Sequence, residues 1–294
     1  MAQEITTTDY RLEIELKKCA IEISINDLEI FSYYGNGPIN TFIGVGEYLK
    51  SKDNKIKFSV WPSNNPKDIF DTNSLCGLTL KARNRFENKN HFPFITMKYS
   101  PNDNINHNKS PTSLEIKTEN EIWGKILGRE QIHHDNERYY YKYTQHFNII
   151  NNYPVWNWVN SVPFSKEKKT IDSLPQKHQI LLETAYKEFW DLLNSKDLST
   201  LKKLHTEMLE ESVRANGGTV ESYFSSLGLK NTINDEKLEL LPLNFNETEI
   251  EITLDGRVVY MNPTPIRYLN KEKNTTRFIS PKFRFDGEKF IVTR

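Results

Sequence analysis

Cysteine is scarce: Cys19 and Cys76 are the only two in 294 residues. Two thiols so far apart make no disulfide framework, and no CxxC is present to hold zinc or run dithiol exchange. Two buried free thiols are the expectation, with a single bridge as the alternative. Long apolar runs are also missing. No window approaches the ~18 uninterrupted apolar residues of a membrane span, so no insertion is expected. The opening MAQEITTTDYRLEIELKKC has no basic segment followed by an apolar run, so it does not read as a secretory signal. A cytoplasmic location follows, or a periplasmic one if a leader has been removed. An excess of either charge is lacking too, with 39 Lys plus Arg against 39 Asp plus Glu. The first 170 residues carry about +2 and the remainder about −2. Neither half has the basic surplus that a general nucleic-acid binder uses to hold phosphates. Finally, GxGxxG, the phosphate loop, GxSxG and HExxH are all absent.

What is present is a strong two-residue period in the first half. Leu12, Ile14 and Leu16 alternate with Glu13, Glu15 and Lys17, the mark of a half-buried strand. Ile21, Ile23 and Ile25 continue it, Asn26-Asp27 turns, and Leu28 to Tyr34 returns. Further strands are expected at Ile56 to Val60, Leu78 to Arg83, Phe92 to Tyr99, Ser113 to Lys117, Glu121 to Leu127 and Tyr139 to Ile150. Val155 to Val159 is a weaker candidate. About one residue in ten is Asn, often in turn-like clusters such as 102–108, which read as loops. Many short strands at near-regular spacing predict an all-β sandwich over residues 1–164.

The texture changes at SKEKKT. Residues 165–172 read as a linker and 173–294 as an α+β domain. Ser173 and Gln176 have the spacing of a capping box, with Pro175 in the first turn. The stripe Ile180, Leu181, Leu182, Ala185, Tyr186, Phe189, Trp190 and Leu193 predicts an amphipathic helix. Asp197 is expected to cap a second helix running through Leu201, Leu204, Met208 and Val213 to Asn216-Gly217-Gly218. A short third helix spans Thr219 to Gly228. Two Asp-Gly pairs, at 255–256 and 286–287, then predict hairpins between alternating strands.

Two segments of the second half resemble the NTF2-like superfamily. They are AYKEFWDLLNSKDLSTLKKLH (185–205) and FRFDGEKFIVTR (283–294). The resemblance implies a curved antiparallel sheet wrapped around helices, with a conical pocket. Members include small enzymes, ligand binders and plain interaction modules. The segment from Asn40 to Pro62, with its YLKSKDNKIKFSV turn into a strand, resembles jelly-roll sandwiches such as galactose-binding-like modules. That implies a sandwich but no particular ligand.

On the NTF2-like reading the ligand-pocket candidates are Tyr186, Trp190, His205, Met208, Tyr223 and Arg284. Each has a plainer role beside it. Tyr186 and Trp190 lie in the helix stripe and suit core packing. No second titratable group is positioned beside His205, so no mechanism can be written and no catalytic residue is assigned. His133-His134-Asp135 is the one close histidine cluster. Neighbours on a strand point to opposite faces, so neither a metal nor a cofactor is expected. Tyr140, Trp156 and Trp158 are candidates for an exposed interaction surface, where aromatics anchor partners or stack on sugars. The expected function is therefore non-catalytic protein binding, in the manner of a bacterial immunity or accessory protein that neutralises a toxin or secretion effector. An NTF2-like enzyme or small-ligand binder with a carbohydrate-binding-like sandwich is the alternative.

Overall fold

The period-two segments of the first half form strands that pair into two five-stranded antiparallel sheets. They are seen in a computed structural model that describes residues 6–35, 37–63, 70, 73–87, 89–99, 115–118, 123–134, 140–150, 153–165 and 170–294. The chain divides into two units, Glu4–Val155 and Trp156–Arg294. The asparagine-rich stretch 102–108, Asp135 and Tyr139 lie outside the described residues.

In the first unit the strands are β1 (Thr8–Lys17), β2 (Cys19–Ile25), β3 (Leu28–Tyr33), β4 (Ile39–Gly44), β5 (Asn54–Pro62), β6 (Leu75–Asn84), β7 (Phe92–Tyr99), β8 (Glu115–Thr118), β9 (Gly124–His134) and β10 (Tyr140–Ile149). One sheet runs β4-β1-β6-β7-β8 and the other β3-β2-β5-β10-β9. Alternate residues bury, so Leu12, Ile14, Leu78 and Leu80 from one sheet share a core with Ile21, Ile23, Ile56 and Phe58 from the other. Rings meet across the interface: Phe94 with Phe147 at 5.9 Å and Tyr99 with Tyr141 at 5.2 Å. Asn26 and Asp27 both adopt positive φ, as a tight hairpin turn requires. Asp27 then pairs with Lys55 and Lys57.

Three sequence expectations change here. Cys19 and Cys76 are not free thiols. They sit on opposite sheets and are joined as a disulfide, with Cα atoms 6.3 Å apart. Lone cysteines 57 residues apart carry no signature of pairing, and only the packing of β2 against β6 from the facing sheet brings them together. Residues 155–159 are not a strand, because Asn157–Asn160 form a 3-10 turn. The unit boundary falls at Val155, ahead of the expected linker, of which 166–169 lie outside the described residues. Residues 156–164 belong to the second unit because its sheet holds them. Val162 N–H donates to Phe285 O at 3.1 Å and Phe164 N–H to Gly256 O at 2.6 Å. Gly256 has φ +85°, and a Cβ there would lie 2.5 Å from Phe164 O, so only glycine permits the approach.

The second unit places helices before strands. They are α1 (Gln176–Asn194), α2 (Leu198–Leu204), α3 (Thr206–Asn216), α4 (Val220–Ser226) and α5 (Leu229–Asn234). The three-stranded sheet has the order β11 (Leu238–Leu240), β14 (Arg267–Asn270), β15 (Thr275–Phe278). The four-stranded sheet has the order β12 (Glu249–Thr253), β13 (Val258–Asn262), β16 (Phe283–Phe285), β17 (Phe290–Val292). Both Asp-Gly hairpins form, joining β12 to β13 and β16 to β17. Along α1, Leu182, Ala185, Tyr186, Phe189 and Leu193 are buried, in one core with Val259, Met261, Phe283, Phe290 and Val292. Each large side chain so buried contributes roughly 1.5–3 kcal/mol. Ile180, assigned to the same stripe, is 56% exposed.

The helix ends differ in part from expectation. The Ser173–Gln176 box does not form. Pro175 occupies the N-cap position of α1, and Ser173 Oγ donates to Thr170 O instead. Asp197 does cap α2, accepting from Thr200 N at 2.9 Å and Thr200 Oγ1 at 2.6 Å. Those bonds hold its carboxyl below the usual carboxylate range. The long second helix is split at His205. Among the described residues no helix is long and apolar enough to cross a membrane.

The cross-sheet disulfide closes a large loop, so Cys76→Ala should lower the stability of the first unit by about 2–4 kcal/mol. Thermal unfolding with and without reductant tests this. Reductant should lower the melting point of the wild type and leave the variant unmoved, and an unmoved wild type would show that no bridge forms.

Candidate functional site

His205 sits where α2 gives way to α3, and its ring explains the break. The backbone stands at φ −89°, ψ 3°, and Nδ1 lies 2.7 Å from Leu201 O, the carbonyl one turn back. The backbone N–H of His205 shares that carbonyl. A side chain bonding to the preceding turn competes with the regular ladder and bends the helix. The ring is 5% exposed and enclosed edge-on by Phe189 at 5.4 Å and Phe224 at 6.2 Å. Burial pushes its pKa below the ordinary 6.5, against the hydrogen bond to Leu201, so the imidazole is neutral near pH 7. With Nδ1 donating to a carbonyl, the proton is on Nδ1 and Nε2 is an acceptor.

His205 lines a cavity of about 220 Å³. Its walls come from Phe189 on α1, Met208 on α3, Leu227 after α4, Leu229 and Thr232 on α5, Arg277 and Phe278 on β15, the connection Ile279–Pro281, and Arg294. Of the six pocket candidates, the cavity takes in His205 and Met208. The other four are committed elsewhere. Tyr186 is core: its hydroxyl accepts from Met261 N at 2.7 Å and donates to Pro281 O at 3.4 Å. Trp190 is half-buried and donates Nε1–H to Leu241 O at 2.8 Å. Tyr223 lies over Gly218 on α4. Arg284 makes a two-pronged ion pair with Glu207, Nε to Oε1 at 2.6 Å and Nη2 to Oε2 at 2.5 Å.

The surface candidates also move. Trp156 and Trp158 are 1% and 0% exposed, and the Arg214 guanidinium lies 5.8 Å from the Trp156 ring centre. They pack inside rather than present a binding face. Tyr140 is on β10 opposite His134, and its side chain lies outside the described residues, as do those of His133 and His134.

Carboxylates near the cavity are consumed in pairs. One turn beyond Glu207 on α3, Glu211 receives Arg294 Nη1 at 2.7 Å and the Asn157 backbone N–H at 2.7 Å. Among the described residues no Asp or Glu side chain lines the cavity itself, so none of them is placed there as an acid or base partner for His205. Sequence reasoning missed Arg277, Ile279–Pro281 and α5. No local pattern singles them out, since Thr275–Phe278 is exposed throughout and shows no alternation.

Comparison with family models, with curated proteins and with solved structures returned no match for this chain.

Two outcomes are expected. Glu211→Ala strands a buried Arg294 and should cost about 3–5 kcal/mol in denaturant unfolding, a loss that a mere surface pair would not produce. The acid response follows from His205. Its folded pKa is below the unfolded 6.5, so the unfolded chain binds the extra proton and stability falls as pH drops through and below 6.5. Melting temperatures from about pH 7.5 down to 5 should fall less steeply in His205→Gln. Parallel curves would mean that His205 is not held neutral.

Proposed function

We propose that this chain is a non-catalytic binding protein that takes an extended segment of a protein partner along β4. The observation that carries the reading is the state of that strand. Among the described residues β4 is an edge, paired with β1 on one side alone. Its six residues, INTFIG, include no charge and no proline, the usual devices that blunt an edge against pairing. Phe42 is 64% exposed on it, with the Arg11 guanidinium 5.1 Å from the ring centre. The opposite sheet ends at β3, which carries Glu29 and pairs through a bulge. An unblunted edge with an aromatic anchor suits strand addition, where main-chain bonds hold the partner and side-chain contacts select it.

The lone base in the cavity, with the nearby glutamates locked to arginines, supports binding over catalysis. The class of partner is a toxin or secretion effector, by analogy with modules of the kind the sequence resembles. Helices followed by antiparallel strands support an NTF2-like reading of the second unit. The disulfide supports an oxidising compartment, and so the periplasmic alternative.

Co-expression with the products of adjacent genes tests the reading. A partner should be retained by the wild type, and its affinity should drop at least tenfold in Phe42→Lys and Asn40→Lys, with unchanged melting temperature. No retention, or equal retention by both variants, would remove the proposal.

A further inference from the structure

We propose that the cavity beneath the α2–α3 break binds a small amphipathic carboxylate carrying a hydrogen-bond donor at its far end. The volume of about 220 Å³ lies below the ~300–1,000 Å³ of sites for drug-sized ligands, so the occupant is small. Phe189, Met208, Leu227, Leu229 and Phe278 make most of the wall apolar, which calls for an aromatic or branched body.

The polar groups decide the rest. Among the described residues two arginines line the space and no Asp or Glu side chain does. Arg294 is neutralised by Glu211. Arg277 is exposed on β15 and forms no ion pair among the described residues. Among the described side chains the cavity therefore has one uncompensated cation, enough for a monoanion and too little for a phosphate dianion. A guanidinium matches a carboxylate with two parallel N–H bonds. In the interior, His205 Nδ1 is engaged with Leu201 O, and no donor among the described residues reaches Nε2. That nitrogen is an acceptor in apolar surroundings, so a ligand hydroxyl or N–H satisfies it, and a ligand without one leaves it unmet.

Calorimetric titration of the full chain with 4-hydroxybenzoate tests this. Saturable one-to-one binding is expected. Two comparison ligands should each bind at least tenfold more weakly: benzoate, which lacks the donor, and 4-hydroxybenzamide, which lacks the charge. Arg277→Gln, an exposed position that leaves the core intact, should weaken 4-hydroxybenzoate at least tenfold while binding of the neutral amide stays unchanged. Met208→Trp, confirmed as folded by its melting curve, should block all three by filling the space. The inference is overturned if the wild type shows no saturable binding in the low millimolar range. It is equally overturned if Arg277→Gln binds the acid as well as the wild type does. Both readouts are independent of β4, so failure here leaves the strand-addition reading to its own test.

Discussion

Two glutamates one helical turn apart on α3 organise the second unit. Glu207 holds Arg284 from β16, and Glu211 holds Arg294 and the Asn157 backbone N–H. Each pair is largely shielded from water, where an unpartnered charge is costly and a paired, hydrogen-bonded one is tolerable. The consequence is positional. α3 is tied to the strand end of the four-stranded sheet and to the segment that enters the unit. His205, immediately before α3, is therefore set against Phe189 and Phe224. The cavity exists because this clamp holds α3 while the helix breaks at the histidine.

The same clamp decides which chemistry is available. Arginine–carboxylate pairs neutralise the groups that could otherwise serve as acid or base beside His205. The charge remaining in the cavity is the guanidinium of Arg277, and the hydrogen-bonding vacancy is His205 Nε2. These features support the recognition role proposed for the cavity: among the described residues they provide one cation and one acceptor in an apolar enclosure.

Legibility from the sequence followed the range of the interaction involved. Alternation and Asp-Gly turns are local, so most strands of the first unit, though not β4, and the two later hairpins could be read directly. The Asp197 cap and the Gly217 stop are equally local. The Ser173–Gln176 box had the right spacing and failed, because the 3-10 turn over residues 171–173 engages Ser173 first. Nonlocal features were not legible. The disulfide depends on which strands face one another across two sheets. Burial of Trp156 and Trp158 depends on a turn that removes the period-two geometry assumed for them. The cavity draws its wall from helices α1, α3 and α5 and from β15, and Arg277 has no local pattern to single it out.

The zero net charge takes on a sharper meaning against this structure. Near-neutral halves imply that no long-range field steers a ligand to either unit, so recognition depends on contacts within a few ångströms. At β4 the contact is an unblunted backbone edge beside Phe42. At the cavity it is one guanidinium at the rim and one imidazole inside. The first favours shape and main-chain matching, and the second adds a single local charge. Affinity at β4 should accordingly depend weakly on salt, whereas salt should screen the contact that Arg277 offers at the cavity rim.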